Sequence, residues 1–219
     1  MYYMLRKNIN KKYALTFFLS LVFFAALTIL TVNGQTRIFN TGTAADIQSL
    51  ENAALTVFMK IISGVGEWYV YVPAAVLLLI IPKTRIKAGI PASAALAVSA
   101  GLNSVLKLWF AVPRPDVHRL ITETGYGYPS GHAMNGTSFI GVCVILFMRS
   151  SVKKTVKIPV LCAGIVFLIL VGFSRIYLGV HNPGDILGGY SAGICICSAT
   201  VFFVDLWNSE FGIRNSELF

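Results

Sequence analysis

Three short segments of this chain hold the residue types that can do chemistry. They are Lys107-Leu108-Trp109-Phe110-Ala111-Val112-Pro113-Arg114-Pro115, Pro129-Ser130-Gly131-His132, and Ser174-Arg175-Ile176-Tyr177-Leu178-Gly179-Val180-His181-Asn182-Pro183-Gly184-Asp185. Together they carry one Lys, two Arg, two His and one Asp in a chain that is only 12% charged. His181 and Asp185 are separated by about one helical turn. A carboxylate so placed can accept the Nδ1 hydrogen of the imidazole and leave Nε2 free. His132 brings a second imidazole, whose ordinary pKa near neutrality suits both giving and taking a proton. Lys107, Arg114 and Arg175 suit the charge that a phosphoryl group spreads over three equatorial oxygens in its transition state. Arginine offers a fork to two oxygens at once, and lysine a point charge. Ser130 and the backbone N–H of Gly131 or His132 complete an anion cradle. A lone Lys or Arg at a helix end commonly snorkels to headgroups, but three in register with two histidines and an aspartate favour the chemical reading. This is the inventory of phosphoryl transfer without a metal. The few acidic residues form no carboxylate pair and there is no His-x-x-x-His spacing, so neither a metal site nor a cofactor is expected.

The elements that must position these residues are membrane helices. The chain is 56% hydrophobic, its mean hydropathy is +0.72, and several apolar stretches approach the ~20 residues needed to cross a bilayer. Tyr13–Val32 has no charge and follows Arg6, Lys7, Lys11 and Lys12. Its apolar run is too long for a signal peptide and no small-x-small cleavage site follows, so it reads as an uncleaved span. Further spans read as Glu67–Ile81, Ala88–Leu106, Gly131–Met148, Val156–Phe173 and Gly184–Leu206, the first of these short. The expected fold is all-α, a six-helix transmembrane bundle forming a single domain over 1–219, with a motif-bearing core at about 88–206. With the N-terminus cytoplasmic, the inner segments collect Arg6, Lys7, Lys11, Lys12, Lys83, Arg85, Lys87, Arg149, Lys153, Lys154, Lys157 and Arg214. That bias follows the positive-inside rule and puts all three motifs on the extracytoplasmic face of the cell membrane. The net charge of +9 is thus mainly a topology signal, and a nucleic-acid partner is excluded because the basic residues sit in short loops between spans. Cys143, Cys162, Cys195 and Cys197 all fall within apolar spans and read as small buried hydrophobes, not a disulfide framework.

Residues 33–63 depart from simple bundle logic. From Asp46-Ile47-Gln48 through Lys60-Ile61-Ile62 the apolar residues keep helical spacing but are interrupted by Asp46, Glu51, Asn52 and Lys60. This favours one amphipathic helix lying at the outer interface between the first and second spans. Ser130 stands where an N-cap is wanted before the fourth span, and Asn182-Pro183 reads as a cap followed by proline at the first helical position. Both motif histidines therefore lie at helix mouths, where unpaired N–H groups favour an anion. Gly184, Gly188, Gly189 and Gly193 form small-xxx-small pairs suited to close packing within the chain.

The three segments match Lys-x6-Arg-Pro, Pro-Ser-Gly-His and Ser-Arg-x5-His-x3-Asp in type, spacing and order, and the chain so resembles the type 2 phosphatidic acid phosphatase (PAP2) superfamily. The resemblance covers roughly Ala88 to Leu206. It implies that His181 is a nucleophile forming a phosphohistidine, that Asp185 orients it, and that His132 is the general acid and base. It implies phosphate binding by Lys107, Arg114, Ser130, Gly131 and Arg175, and independence of magnesium. His118 matches no family position and reads as a loop residue. The small bacterial enzymes of this kind act on undecaprenyl diphosphate, phosphatidylglycerol phosphate, phosphatidic acid and similar lipids, so the expected partners are a membrane lipid substrate and the bilayer itself. A phosphotransferase would use the same residues with a lipid acceptor in place of water. A vanadate-dependent haloperoxidase shares the constellation but is soluble. A non-enzymatic lipid-binding or transport protein would explain the basic cavity but not the two histidines and aspartate together.

Overall fold

The computed structural model describes residues 2–210, with side chains from 11 to 209. Arg214 and the side chains of Arg6 and Lys7 lie outside the described residues. The elements are helical throughout: α1 (Tyr2–Val32), α2 (Arg37–Gln48), α3 (Ala53–Val65), α4 (Trp68–Ile80), α5 (Pro82–Thr84), a π-helical stretch (Arg85–Gly89), α6 (Ile90–Phe110), α7 (Gly131–Met148), α8 (Lys154–Tyr177) and α9 (Pro183–Glu210). Lys11–Val32, Pro82–Phe110, Gly131–Met148, Lys154–Tyr177 and Pro183–Ser209 are each long and apolar enough to cross a membrane. A sixth span is made only if α3 and α4, bent by 42° at their junction, count as one. The short span read at Glu67–Ile81 is thus the second half of a broken helix, because 13 residues reach only about 20 Å of a ~30 Å core.

The single amphipathic helix expected across residues 46–62 is corrected. The segment is two helices, α2 and α3, parted by a turn at Ser49 and Leu50 and by non-helical Glu51 and Asn52. Asn52 takes extended backbone angles and its side-chain oxygen accepts the Leu55 N–H at 2.9 Å, a true N-cap that starts α3 afresh. Fully buried Tyr177 holds the break in place: its hydroxyl lies 2.9 Å from Thr56 Oγ1 and accepts the Asn52 N–H at 3.3 Å. Around it Met59, Leu178 and Val180 close a small apolar cluster with Ile47 and Leu55.

Helix α9 is the axis of the bundle, packed against α1, α6 and α7. Lipid offers no hydrophobic drive for helix association, so close backbone approach has to supply it. A Cβ on Gly189 would sit 2.6 Å from the Ser130 carbonyl oxygen, and one on Gly193 would sit 2.7 Å from Thr137 Cβ and 2.8 Å from the Met134 carbonyl oxygen. Gly189 and Gly193 therefore form a packing face for α7, while Gly184 meets Asn40 and Gly188 meets Tyr128. The outer surface is left to large apolar side chains such as Phe18, Val22, Val98 and Ile169. At the end of the bundle away from the motifs, Arg149 forms a bidentate pair with Asp205 at 2.6 and 3.1 Å and lies over the Tyr13 ring, joining α1, α7 and α9.

Replacing Gly193 by Leu is expected to force α7 and α9 apart and destabilise the fold by about 1–3 kcal/mol. Gly101→Leu, where nothing lies within 4 Å, is expected to leave stability unchanged. Thermal unfolding of the two variants in detergent checks this.

Candidate active site

The four motif-bearing helices contribute the same end of the bundle: the last turns of α6 and α8 and the first turns of α7 and α9. His181 stands in the turn from α8 to α9 and is 2% exposed. That turn requires Gly179, which has φ +73° and lies so close to the backbone of His118 that no Cβ fits. The N–H groups of Val180 and His181 both donate to the Arg175 carbonyl, at 3.2 and 3.3 Å.

Nδ1 of His181 is 3.3 Å from Asp185 Oδ2, and the same oxygen accepts the Asn182 N–H at 2.8 Å. The start of α9 is therefore capped by Asp185 reaching back from the first turn, half of a capping box, and not by the Asn182 side chain as the sequence suggested. Asp185 also accepts the Ser130 N–H on its backbone oxygen at 3.0 Å, which ties the mouths of α7 and α9 together. Nε2 of His181 faces Arg114 Nη1 at 3.2 Å. Arg114 donates from Nη1 to the Val180 carbonyl at 2.9 Å and from Nε to the Thr124 and Gly125 carbonyls at 3.2 Å. Burial, followed by the charges of Arg114, Arg175 and Lys107, holds the His181 ring well below the usual imidazole range. The ring is neutral at neutral pH, and Arg114 facing Nε2 leaves the proton on the Asp185 side.

The other two cations come from helix ends. Lys107 Nζ donates to the Tyr126 carbonyl at 2.6 Å. Arg175 is 1% exposed, donates from Nη1 to Ser63 Oγ at 2.5 Å and pairs through Nη2 with Glu123. The other Glu123 oxygen lies 3.8 Å from Arg114 Nη2, so one carboxylate stands between the two guanidinium groups. His132, in the first turn of α7, has Nε2 3.1 Å from Glu67 Oε1. That contact lies off hydrogen-bond geometry.

These groups enclose a cavity of about 200 Å³ lined by Glu67, Trp68, Tyr71, Lys107, Arg114, Glu123, Gly131, His132, Asn135, Arg175 and His181. Asp185 lies behind His181, away from that cavity, and lines a larger one of about 740 Å³ bounded by α1, α2 and residues 110–117. Ser130 occupies the N-cap position, but its hydroxyl makes no cap bond, is fully buried and has no hydrogen-bond partner. Gly131 packs on Asn103, whose amide donates to the Pro129 carbonyl and fixes the loop. His118 stands apart, half-exposed and paired with Glu51 at 2.5 Å. The structure thus brings Lys107, Arg114, Gly131, His132, Arg175 and His181 to one cavity, with Asp185 and Ser130 behind its walls. Motif reading missed Ser63, Glu67 and Glu123. The available signal for the two glutamates was the scarcity of acidic residues, nine in all, of which Glu67 and Glu123 line this cavity.

Comparisons with known proteins identify the family and the fold. The PAP2 superfamily pattern matches residues 88–209, which carry α6 to α9 and every motif residue. The chain is 39% identical over 97 residues to phosphatidylglycerophosphatase B of Bacillus subtilis, a stretch that spans 43% of this chain and 47% of that protein. It is 30% identical over 198 residues to the undecaprenyl-diphosphatase of Sulfolobus acidocaldarius, covering 87% and 91% of the two chains. Its fold matches the crystal structure of the transmembrane PAP2 type phosphatidylglycerolphosphate phosphatase from Bacillus subtilis with a TM-score of 0.78 at 25% identity, over 91% of this chain and 98% of that one. From its motifs, its helical frame and these matches, this chain belongs to the PAP2 superfamily of membrane proteins.

Proposed function

We propose that the protein is an integral membrane lipid phosphatase that hydrolyses phosphomonoester or diphosphate groups of lipids of the undecaprenyl diphosphate, phosphatidylglycerol phosphate and phosphatidic acid class. The observation that carries this reading is the convergence of a His–Asp pair, a second histidine and three cations on one small cavity. Lys107, Arg114 and Arg175 hold the phosphoryl oxygens and neutralise the charge that builds up in the transition state. Neutral His181, steadied by Asp185, attacks phosphorus through Nε2 once the phosphoryl group draws Arg114 away. His132 protonates the departing oxygen and then takes a proton from the water that releases phosphate. The three cations do the work that a divalent ion does elsewhere, so the reaction proceeds without a metal. The basic residues Lys83, Arg85, Lys87, Arg149, Lys153, Lys154 and Lys157 lie at the far end of the same helices, which supports an extracytoplasmic site in the cell membrane. α2 then lies at the outer interface, with Ile38 and Phe39 turned outward.

The deciding experiment is phosphate release by purified protein in detergent with EDTA, over a panel of lipid phosphates and diphosphates. Release is expected to survive EDTA and to fall by about 10⁴-fold or more in His181→Ala. His132→Ala is expected to be severely impaired, with His118→Ala within about twofold of wild type. No release from any lipid, with phosphate appearing on an added acceptor lipid, would point to the transferase reading.

The depressed His181 sets a pH expectation. A lowered pKa keeps the ring neutral as pH falls past the ordinary imidazole value near 6.5. After correction for the phosphate's own ionisation, the acid limb of kcat/KM is expected well below that value. Arg114→Gln removes the positive charge that faces Nε2 and is expected to move the limb to higher pH. An unmoved limb would reject the electrostatic account.

A further inference from the structure

We infer that Glu67 is a positioning residue of this site, holding the charged form of His132 in a second histidine–carboxylate pair across the cavity from His181–Asp185. The inference rests on the proposed role of His132 as proton donor to the leaving oxygen.

Glu67 lies at the break between α3 and α4, outside the segment that the family pattern matches. The break is pressed against the His132 ring: a Cβ on Gly66 would meet Val171 Cγ1 at 2.9 Å and His132 Cδ2 at 3.2 Å. This close approach delivers Glu67 Oε1 to within 3.1 Å of His132 Nε2. The backbone of Glu67 is committed on both sides, its N–H to the Gly64 carbonyl and its carbonyl to the N–H groups of Val70 and Tyr71. It occupies the N-cap of α4, yet its side chain makes no cap bond. Glutamate is not a favoured N-cap residue, so local helix chemistry does not explain it. The carboxylate is turned to the imidazole.

The reaction needs His132 to carry a proton when the phosphorus–oxygen bond breaks, and a buried imidazolium needs a counter-charge. The charged groups facing His132 are Glu67 from the break, Arg175 from α8 and Glu123 from the loop, with Lys107, Arg114 and His181 lining the same cavity. Arg175 opposes the charge. Glu123 is shared between Arg175 and Arg114. Glu67 is the carboxylate left to serve the imidazolium. In the first step the His181 Nε2–phosphorus bond forms, the bond to the lipid oxygen breaks, and that oxygen leaves as an alcohol with the His132 proton. In the second step water attacks phosphorus and its proton returns to His132. The nitrogen–phosphorus bond breaks, releasing phosphate and restoring both histidines.

The test uses leaving groups of different acidity. For p-nitrophenyl phosphate the departing oxygen needs no proton, whereas for phosphatidic acid in detergent micelles it does. The measured quantity is kcat/KM, which reports the steps through transfer to His181. Glu67→Gln is expected to lower it about 10–100-fold on phosphatidic acid but less than about threefold on p-nitrophenyl phosphate. Glu67→Asp, which keeps the charge, is expected to fall between wild type and Glu67→Gln on the lipid, and the same split is read on it if the Gln variant does not fold. His132→Ala run alongside is expected to show a larger split of the same kind. Equal losses on both substrates, or none, in the Glu67 variants while His132→Ala keeps its split would overturn the role of Glu67 and leave the phosphatase reading standing. Absence of a split in His132→Ala would instead remove the assignment on which the inference rests.

Discussion

A buried guanidinium organises this end of the molecule. Arg175 is almost wholly shut off from solvent, and a charge in such a place has to be answered by charges and hydrogen bonds brought to it. The side chain is answered from two separate stretches and the backbone from a third. Ser63 in α3 meets one Nη atom, Glu123 in the loop after α6 meets the other, and the backbone oxygen of Arg175 receives the N–H groups of Val180 and His181. One residue therefore fixes the broken helix, the covering loop and the turn that carries His181 relative to each other. Removing it would cost far more than one phosphate contact.

The site is built where two helices meet in close backbone contact. The Ser130 N–H bonded to the Asp185 carbonyl joins the starts of α7 and α9, and just below this the two backbones touch through Gly189 and Gly193. Tyr128, fully buried, carries the incoming loop onto α1 through Thr28 and stacks on Phe24. The two histidines are thus held at a separation set by backbone contact, not by long side chains, and such rigidity is what positioning a phosphoryl group between them demands.

The sequence carried the site's inventory well and its supports poorly. Lys107, Arg114, His132, Arg175 and His181 could be picked out because ionisable groups at the ends of apolar spans are costly and few. The frame of long spans was legible for the same reason, since helix length and apolarity are properties of one segment. What failed were statements about the relation of one segment to another. The apolar residues of 46–62 keep helical spacing on both sides of Asn52, yet the helix stops there because Tyr177 takes up the backbone and Asn52 starts a new helix. Ser130 and Asn182 have the right identities for side-chain caps, but Ser130 makes no cap bond and α9 is capped by Asp185. Ser63, Glu67 and Glu123 acquire meaning only from partners far away in sequence, which no local pattern records.

The carboxylate of Glu123, set between two guanidinium groups, has a consequence for turnover. Three cations, Lys107, Arg114 and Arg175, face three carboxylates, Glu67, Glu123 and Asp185, in and behind the empty cavity. The Glu67 and Glu123 carboxylates offset part of that positive charge, which keeps mutually repelling cations assembled in a medium of low dielectric constant. On the proposed roles of Arg114 and Arg175, a phosphate dianion would take its place as the Glu123 carboxylate gives up the two guanidinium groups. The cavity would then act as an ion exchanger, binding each phosphate in trade for an internal anion tethered to the loop. When hydrolysis is complete the tethered anion is still at hand to reclaim the guanidinium groups, so tight recognition of the headgroup need not become tight retention of the product.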